Sequence, residues 1–254
     1  MNGATPPVVM TIAGSDPSCG AGLQKDLAAF SALGTRGVCA VTALTAQNPE
    51  RVSGIHIPPP ESVSAQIAAL LDFYDVKAAK TGMLPTAEIV GAVADSLENS
   101  HFPLVVDPVL VSSSGAELMD AGAFRALTER LLRLAAWTTP NLPEAERLAG
   151  RKISSLDDMA AAAAEIAGKW NVFCVLKGGH AEFLGERSVD LMAAPDGTIS
   201  EFASKRIRRL DADAAHGTGC AFSAALAAEL AKGANPEEAA ETAKKHVAEI
   251  LERG

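Results

Sequence analysis

The sequence predicts an α/β fold in three layers, with a mostly parallel central sheet, helices on both faces and an antiparallel hairpin at one edge. Three observations carry this. Short apolar runs alternate with amphipathic segments along almost the whole chain, the pattern of repeated strand–helix units. The strand-like runs are apolar throughout rather than alternating, as in sheets covered on both faces. One Asp-Gly pair, Asp196-Gly197, separates two strand-like runs and marks a tight hairpin.

Residues 8–13 are apolar and end at Gly14, a buried strand. Residues 22–33 place Leu23, Leu27, Phe30 and Leu33 at helical spacing, and Gly34 stops the helix. Residues 37–45 read as a second strand. Residues 60–73 form an amphipathic helix with Val63, Ile67, Leu70 and Leu71 inward. Residues 76–80 are strand-like, and Pro85 sits at a favourable first-turn position for the next helix. Residues 103–107 are a strand, 118–134 a helix and 136–139 a short strand. Pro143 opens a helix to residue 148. Residues 156–169 are an alanine-rich helix whose run 160–164 suits close packing. Residues 172–177 are a strand. Residues 188–194 and 198–203 flank the hairpin turn, and two helices follow, from Cys220 and from Pro236. No linker-like stretch or repeat interrupts the 254 residues, so the expectation is one domain, residues 1–254.

Composition narrows the function. With 48% apolar but only 4% aromatic residues, the core is built of Ala, Val, Leu and Ile. A net charge of −9 argues against a nucleic-acid partner, which needs a basic face. No apolar run is long enough to span a bilayer and the N-terminus lacks a leader pattern, so no membrane contact is expected. Cys19, Cys39, Cys174 and Cys220 are scattered without a CxxC pair, which suits a reducing cytoplasm rather than a disulfide scaffold or zinc site.

The chemistry concentrates in residues 215–226, AHGTGCAFSAAL, a small-residue loop running straight into an apolar helix. Gly217 and Gly219 allow a tight turn and leave room for a ligand. The first amides of a helix lack intrahelical partners and favour an anion, most often phosphate. Cys220 stands at that helix start, where a thiol pKa is expected to fall. The same stretch also reads as a glycine-rich turn with a buried cysteine.

In doubly wound sheets ligands bind beyond the carboxyl ends of the strands. Ala13 and Gly14 lead there into a glycine-rich loop that is neither a GxxxxGK[ST] phosphate loop nor a GxGxxG dinucleotide loop. Gln47 can donate and accept in one plane, which suits the edge of a heterocycle. Met83 offers an adaptable apolar wall, or a core side chain. Asp107 and Glu144, with Asn141, form a set able to hold hydrated magnesium beside a polyphosphate; alone, each also suits a helix cap. Lys177 can neutralise charge developing in phosphoryl transfer, or stand as a surface lysine. Neither His180 nor His216 has a partner at metal-ligand spacing. Together these residues supply what phosphoryl transfer needs: an anion cradle, a metal on the phosphates, positioning groups and a base.

In order, AGSDPSxGAGxQxDL, TALTAQN, KxGML, VVDPV, TPNLPEA, LKGGH and HGTGCxxSAALA resemble the hydroxymethylpyrimidine and hydroxymethylpyrimidine-phosphate kinases of thiamin synthesis, in the ribokinase superfamily. The resemblance runs from about Val8 to Ile250. HGTGC alone also resembles pyridoxal-type kinases. The resemblance implies ATP and Mg2+ as cofactors and a homodimer. It implies an anion hole at Gly217, Thr218, Gly219 and Cys220, with Cys220 the candidate base. It implies magnesium and phosphate-water ligands at Asp107 and Glu144, beside Asn141. It implies a pyrimidine pocket of Gln47, Asp26, Met83, Ala13 and Gly14, and Lys177 facing the ATP phosphates. Two positions depart from it: Cys19 stands where the family usually has glycine, and Ser113 where many members have lysine. The expected reaction is ATP-dependent phosphorylation of 4-amino-5-hydroxymethyl-2-methylpyrimidine and then of its monophosphate. A pyridoxal or pyridoxine kinase is the nearest alternative, and a catalytically weak pyrimidine-sensing protein the next. A nicotinamide dehydrogenase lacks its fingerprint.

Overall fold

The structure is a computed structural model that describes residues 5–112, 115–179, 181–207 and 216–253. In chain order the elements are β1 (Val8–Ser15), α1 (Gly22–Ala32), β2 (Arg36–Asn48), β3 (Arg51–His56), α2 (Pro60–Phe73), β4 (Val76–Thr81), α3 (Ala87–Leu97), β5 (Leu104–Val106), α4 (Ala121–Ala126), β6 (Trp137–Thr138), α5 (Leu142–Ala149), α6 (Leu156–Trp170), β7 (Phe173–Lys177), β8 (Arg187–Ala193), β9 (Ile199–Lys205), α7 (Thr218–Ala231) and α8 (Pro236–Arg253). The nine strands form one sheet in the order β3-β2-β1-β4-β5-β6-β7-β8-β9. The six inner strands pair in parallel, while β3 pairs antiparallel with β2, and β8 and β9 continue antiparallel beyond β7.

Strand alternation builds the two outer layers. Met10 and Ile12 point to the face covered by α2 to α6, where they meet Ile67, Val90, Leu131 and Ile166. Val9, one residue out of phase, points to the other face with Ala78, Val105 and Val175, against α1, α7 and α8. Each such aliphatic side chain removed from water stabilises the fold by about 1.5–3 kcal/mol. Helix α7 is buried along Ala221–Ala228, and its alanines let it lie close to the sheet beneath α8. The alanine run in α6 packs the same way, with Ala162 and Ala163 fully buried.

The expected edge hairpin is present as β8–β9, with Asp196 accepting from the Thr198 amide. A second antiparallel hairpin, β2–β3, closes the opposite edge. Its connection carries Pro49 rather than an Asn-Gly or Asp-Gly signal, so sequence reading ended the strand early. Pro85 does not open α3; Thr86 caps it, accepting from Ile89 N. Likewise α4 begins at Ala121 rather than 118, because Asp120 caps it by accepting from Ala123 N. Leu118 instead packs in a small cluster with Ala43 and Met83.

Candidate active site

Beyond the carboxyl ends of the parallel strands lies a cavity of about 1130 Å³. Its lining gathers Ala13 and Gly14 from β1, Gln47 from β2, Met83 after β4, Asp107 after β5, Asn141 and Glu144 at α5, Lys177 from β7, and Gly217, Thr218, Gly219 and Cys220 at α7. These residues are far apart in sequence and meet because neighbouring parallel strands all end on one side.

The helix starts divide into capped and uncapped, and α7 shares the lack of a side-chain cap with α1 and α2. Helices α3, α4, α5 and α6 are capped by Thr86, Asp120, Asn141 and Ser155. No side chain caps α7; its N-cap is Gly217 at φ 73°. A Cβ at Gly217 would lie 2.0 Å from Gly20 O, so only glycine lets the two loops close together here. Gly217, Thr218, Gly219 and Cys220 at this start line the cavity, and a helix start favours negative charge.

A charged cluster stands beside them. Lys177 Nζ is 3.1 Å from Asp107 Oδ1 and would lie 3.3 Å from a Cβ at Gly219. Asp107 Oδ1 also accepts from Thr139 Oγ1 at 3.0 Å, and Oδ2 from Ser223 Oγ at 3.1 Å. Glu144 and Asn141 form a capping box: Asn141 N donates to Glu144 Oε2 at 2.8 Å, and Glu144 N to Asn141 Oδ1 at 3.0 Å. Burial pushes the Glu144 carboxyl up to about 7, Lys177 opposes this, and the nearby Asp107 charge adds to it. Burial works against the Lys177 charge, but Asp107 and Glu144 hold its ammonium above the ordinary lysine range.

Two expectations need correction. Cys220 was expected to have a lowered thiol pKa at its helix start. Burial instead pushes the thiol up; Lys80 and the Gly22 amide oppose this, while Asp26 and Asp107 reinforce it. Desolvation outweighs the helix terminus. Asp26 does not reach the cavity. Its side chain is fully buried beneath the floor, bonded through both oxygens to Lys80 Nζ at 2.9 and 2.8 Å and through Oδ2 to Thr11 Oγ1 at 2.6 Å. Fully buried and outside the cavity lining, this carboxylate is out of a ligand's reach.

Met83 lies against Gly14, where a Cβ would stand 3.0 Å from its sulfur. Cys19 is exposed at φ 60°, a left-handed backbone that favours glycine, and it is outside the cavity lining. Ser113 and His180 lie outside the described residues.

Sequence reading missed several residues around the cavity. Arg206 grips the loop after β7 through Gly179 O, Ala181 O and Gly185 O. Asp190 accepts from Gly178 N and from Lys244 Nζ. Asp16 and His216 face each other across 200 positions of sequence, with His216 Nε2 2.9 Å from Asp16 Oδ2. No local signal marks such pairs. For Asp16, the Asp-Pro-Ser turn was the one available sign, since Ser18 N and Oγ both donate to its Oδ1.

A three-layer sheet with an uncapped helix start, a lysine and paired carboxylates at one strand edge defines a small-molecule phosphotransferase of the ribokinase-like class. The sequence pattern of the phosphomethylpyrimidine kinase family matches residues 16–254. A hydroxymethylpyrimidine/phosphomethylpyrimidine kinase of Streptomyces coelicolor is 42% identical over 250 residues, covering 98% of this chain and 90% of that protein. The crystal structure of a phosphomethylpyrimidine kinase from Clostridium difficile superposes with a TM-score of 0.83 at 35% identity, over 96% of this chain and 99% of that one. A pyridoxal kinase from Staphylococcus aureus in complex with pyridoxal superposes with a TM-score of 0.87 at 35% identity, over 99% and 90%. The chain belongs to the phosphomethylpyrimidine kinase family.

Proposed function

We propose that the protein transfers a phosphoryl group from ATP to the hydroxymethyl group of 4-amino-5-hydroxymethyl-2-methylpyrimidine, and then to its monophosphate, in thiamine biosynthesis. The observation that carries this is one cavity holding the uncapped α7 start and Lys177 together with Gln47, a planar donor–acceptor suited to a pyrimidine edge. In this reading the amides of Gly217, Thr218, Gly219 and Cys220 stabilise the transferred phosphoryl. Lys177 neutralises charge on the ATP phosphates. Cys220 is the candidate base: it must first give up its own proton, which burial resists and the Lys80 charge below favours, and its thiolate then takes the proton of the substrate hydroxyl. Gln47, Met83, Ala13 and Gly14 hold the ring. Asn141 supports the phosphate side.

Magnesium fits Asp107 and Glu144 through its waters. The Asp107 charge adds to the cost of ionising Glu144, which a cation relieves. Among the described residues no group of three or more metal-ligating side chains gathers, so a directly ligated cage is not what the site offers. A hydrated magnesium there would offset the charge of the phosphates.

The neighbouring structure of a pyridoxal kinase gives the second reading, phosphorylation of pyridoxal. The same assay separates them. Purified protein, ATP and each alcohol are compared by ADP release and by mass spectrometry of the products. The expected result is one, then two, added phosphoryl groups on the pyrimidine and a lower kcat/KM on pyridoxal. The reverse preference overturns the first reading. Cys220→Ala and Cys220→Ser are expected to lower kcat by at least about tenfold with ATP KM unchanged. Near-parent turnover in both removes Cys220 from the chemistry.

Two further proposals concern the setting. Exposed Leu44, Ile55 and Ile57 on and just after the β2–β3 hairpin support a homodimer, which light scattering tests. All four cysteines are free, and no helix among the described residues is long and apolar enough to cross a membrane; both accord with a cytoplasmic enzyme.

A further inference from the structure

The ring of His216 is held from three sides. Its Nε2 is 2.9 Å from Asp16 Oδ2 and 3.2 Å from the atom placed as Gln47 Nε2. A Cβ at Gly20 would lie 2.2 Å from His216 Cδ2, so the Cδ2 edge of the ring abuts a residue that must lack a side chain. The ring is only 3% exposed.

Asp16 decides which atom carries hydrogen. Its Oδ1 accepts from Ser18 N and Oγ, and its Oδ2 from Ala21 N. Burial opposes the charge, but these donors and His216 outweigh it and hold the carboxyl below the ordinary aspartate range. An ionised carboxylate can only accept. The atom facing it, His216 Nε2, therefore bears the hydrogen, whether the ring is neutral or charged. An Nε2–H cannot also accept from an amide N–H. The amide as placed sets its nitrogen against this N–H, donor against donor; turned over, a choice that the hydrogen-bond network decides, it sets the Gln47 carbonyl there, where it can share the hydrogen given to Asp16, and the NH2 away from the ring.

This polarity has a consequence for the ligand, resting on the pyrimidine reading above. Along the Gln47 amide, moving away from His216, the order is acceptor, then donor. The complementary ring edge has an amine hydrogen nearest His216 and a ring nitrogen lone pair beyond it. In the aminopyrimidine the hydroxymethyl carbon adjoins the amino-bearing carbon on the side opposite that ring nitrogen. The hydroxymethyl group then points toward His216 and the Gly217–Cys220 turn that follows it. The opposite amide order would turn the hydroxymethyl away from the phosphoryl site. We infer that His216, fixed by Asp16, is a positioning residue: it sets the donor–acceptor order of Gln47 and so orients the substrate alcohol toward the start of α7.

Protein labelled with 15N and free of substrate tests the first half. Two-bond proton–nitrogen correlations of the His216 ring, assigned through their loss in His216→Gln, are expected to show hydrogen on Nε2. Hydrogen on Nδ1 alone overturns the proposal whatever the substrate. The second half is tested by replacing the ring nitrogen beside the amino-bearing carbon with C–H. The parent enzyme is expected to lose about tenfold in kcat/KM on this analogue, mostly in KM. In Gln47→Ala the two compounds are expected to differ by less than about twofold, with ATP KM unchanged. Asp16→Asn frees the ring to adopt the other tautomer, and KM for the pyrimidine is expected to rise about tenfold at unchanged ATP KM. An equal penalty for the analogue in parent and Gln47→Ala, or an unchanged KM in Asp16→Asn, overturns the proposal. Failure of the parent to phosphorylate the pyrimidine, with hydrogen found on Nε2, overturns the substrate reading and the orientation built on it.

Discussion

Two aspartate–lysine pairs lie at the carboxyl edge of this sheet, and their surroundings give them different work. Asp26–Lys80 is sealed: both side chains are 0% exposed, and Lys80 Nζ bonds both carboxylate oxygens. Burial opposes the Lys80 charge and Asp26 outweighs it. Asp107–Lys177 opens to the cavity, with the Lys177 side chain 14% exposed and its Nζ making one hydrogen bond, to Asp107, among the described residues. A second carboxylate, Glu144, adds to this cluster a charge the lysine does not fully match. A saturated buried pair holds a fold together. A pair left with spare hydrogens beside an uncapped helix start can receive phosphate.

Breaking the sealed pair is expected to have the largest effect. Lys80→Ala leaves Asp26 buried and unpaired, which costs about 3–5 kcal/mol and lowers Tm by roughly 10 °C. The double change Asp26→Leu with Lys80→Met should restore much of the stability, because no buried charge remains. Calorimetry on the three variants checks this. A small Tm change in Lys80→Ala would mean that the pair is not structural.

Breaking the open pair should act on rate. Lys177→Ala is expected to lower kcat by about 10²–10³-fold while shifting Tm much less than Lys80→Ala. Glu144 can take up a proton when the cation is gone, which limits the structural cost. Steady-state kinetics beside thermal melts reads both. Equal loss of stability in the two lysine variants would erase the distinction.

The smallest effect sharpens the comparison through pH. The Glu144 carboxyl ionises near 7 in the fold, against 4.5 ordinarily. Between these values the folded protein binds more protons than the unfolded chain. Stability contributed by this group is therefore present below 4.5 and lost as pH rises toward 7. The ligand-free protein should lose on the order of 2 kcal/mol over that range through this group. Glu144→Gln should lack that part of the slope in urea titrations at pH 5 and pH 7. Parallel curves would mean that Glu144 ionises normally.

Much of this was legible before the structure. Apolar runs of the right length and the Asp-Gly turn mark the inner strands and the β8–β9 hairpin, because period and turn chemistry are local properties. The residues ending each strand were recognisable as cavity residues, because parallel strands carry their carboxyl ends to one side. The small-residue loop leading into an apolar helix was visible, though the helix was read from Cys220 and it begins at Thr218, with Gly217 as its N-cap. What only the tertiary structure decided depends on distance and on water. Asp26 looked like a ligand contact until Lys80, 54 positions away, was seen to occupy both its oxygens. Cys220 stands at a helix start, which lowers a thiol pKa, but the burial that raises it comes from packing. His216 had no partner within reach in sequence, and its hydrogen-bonded neighbours Asp16 and Gln47 come from the first two strands and the loop between them. A helix start, a turn or an apolar run is set by neighbours in the chain, whereas desolvation and the pairing of buried charges are set by groups that only folding brings together.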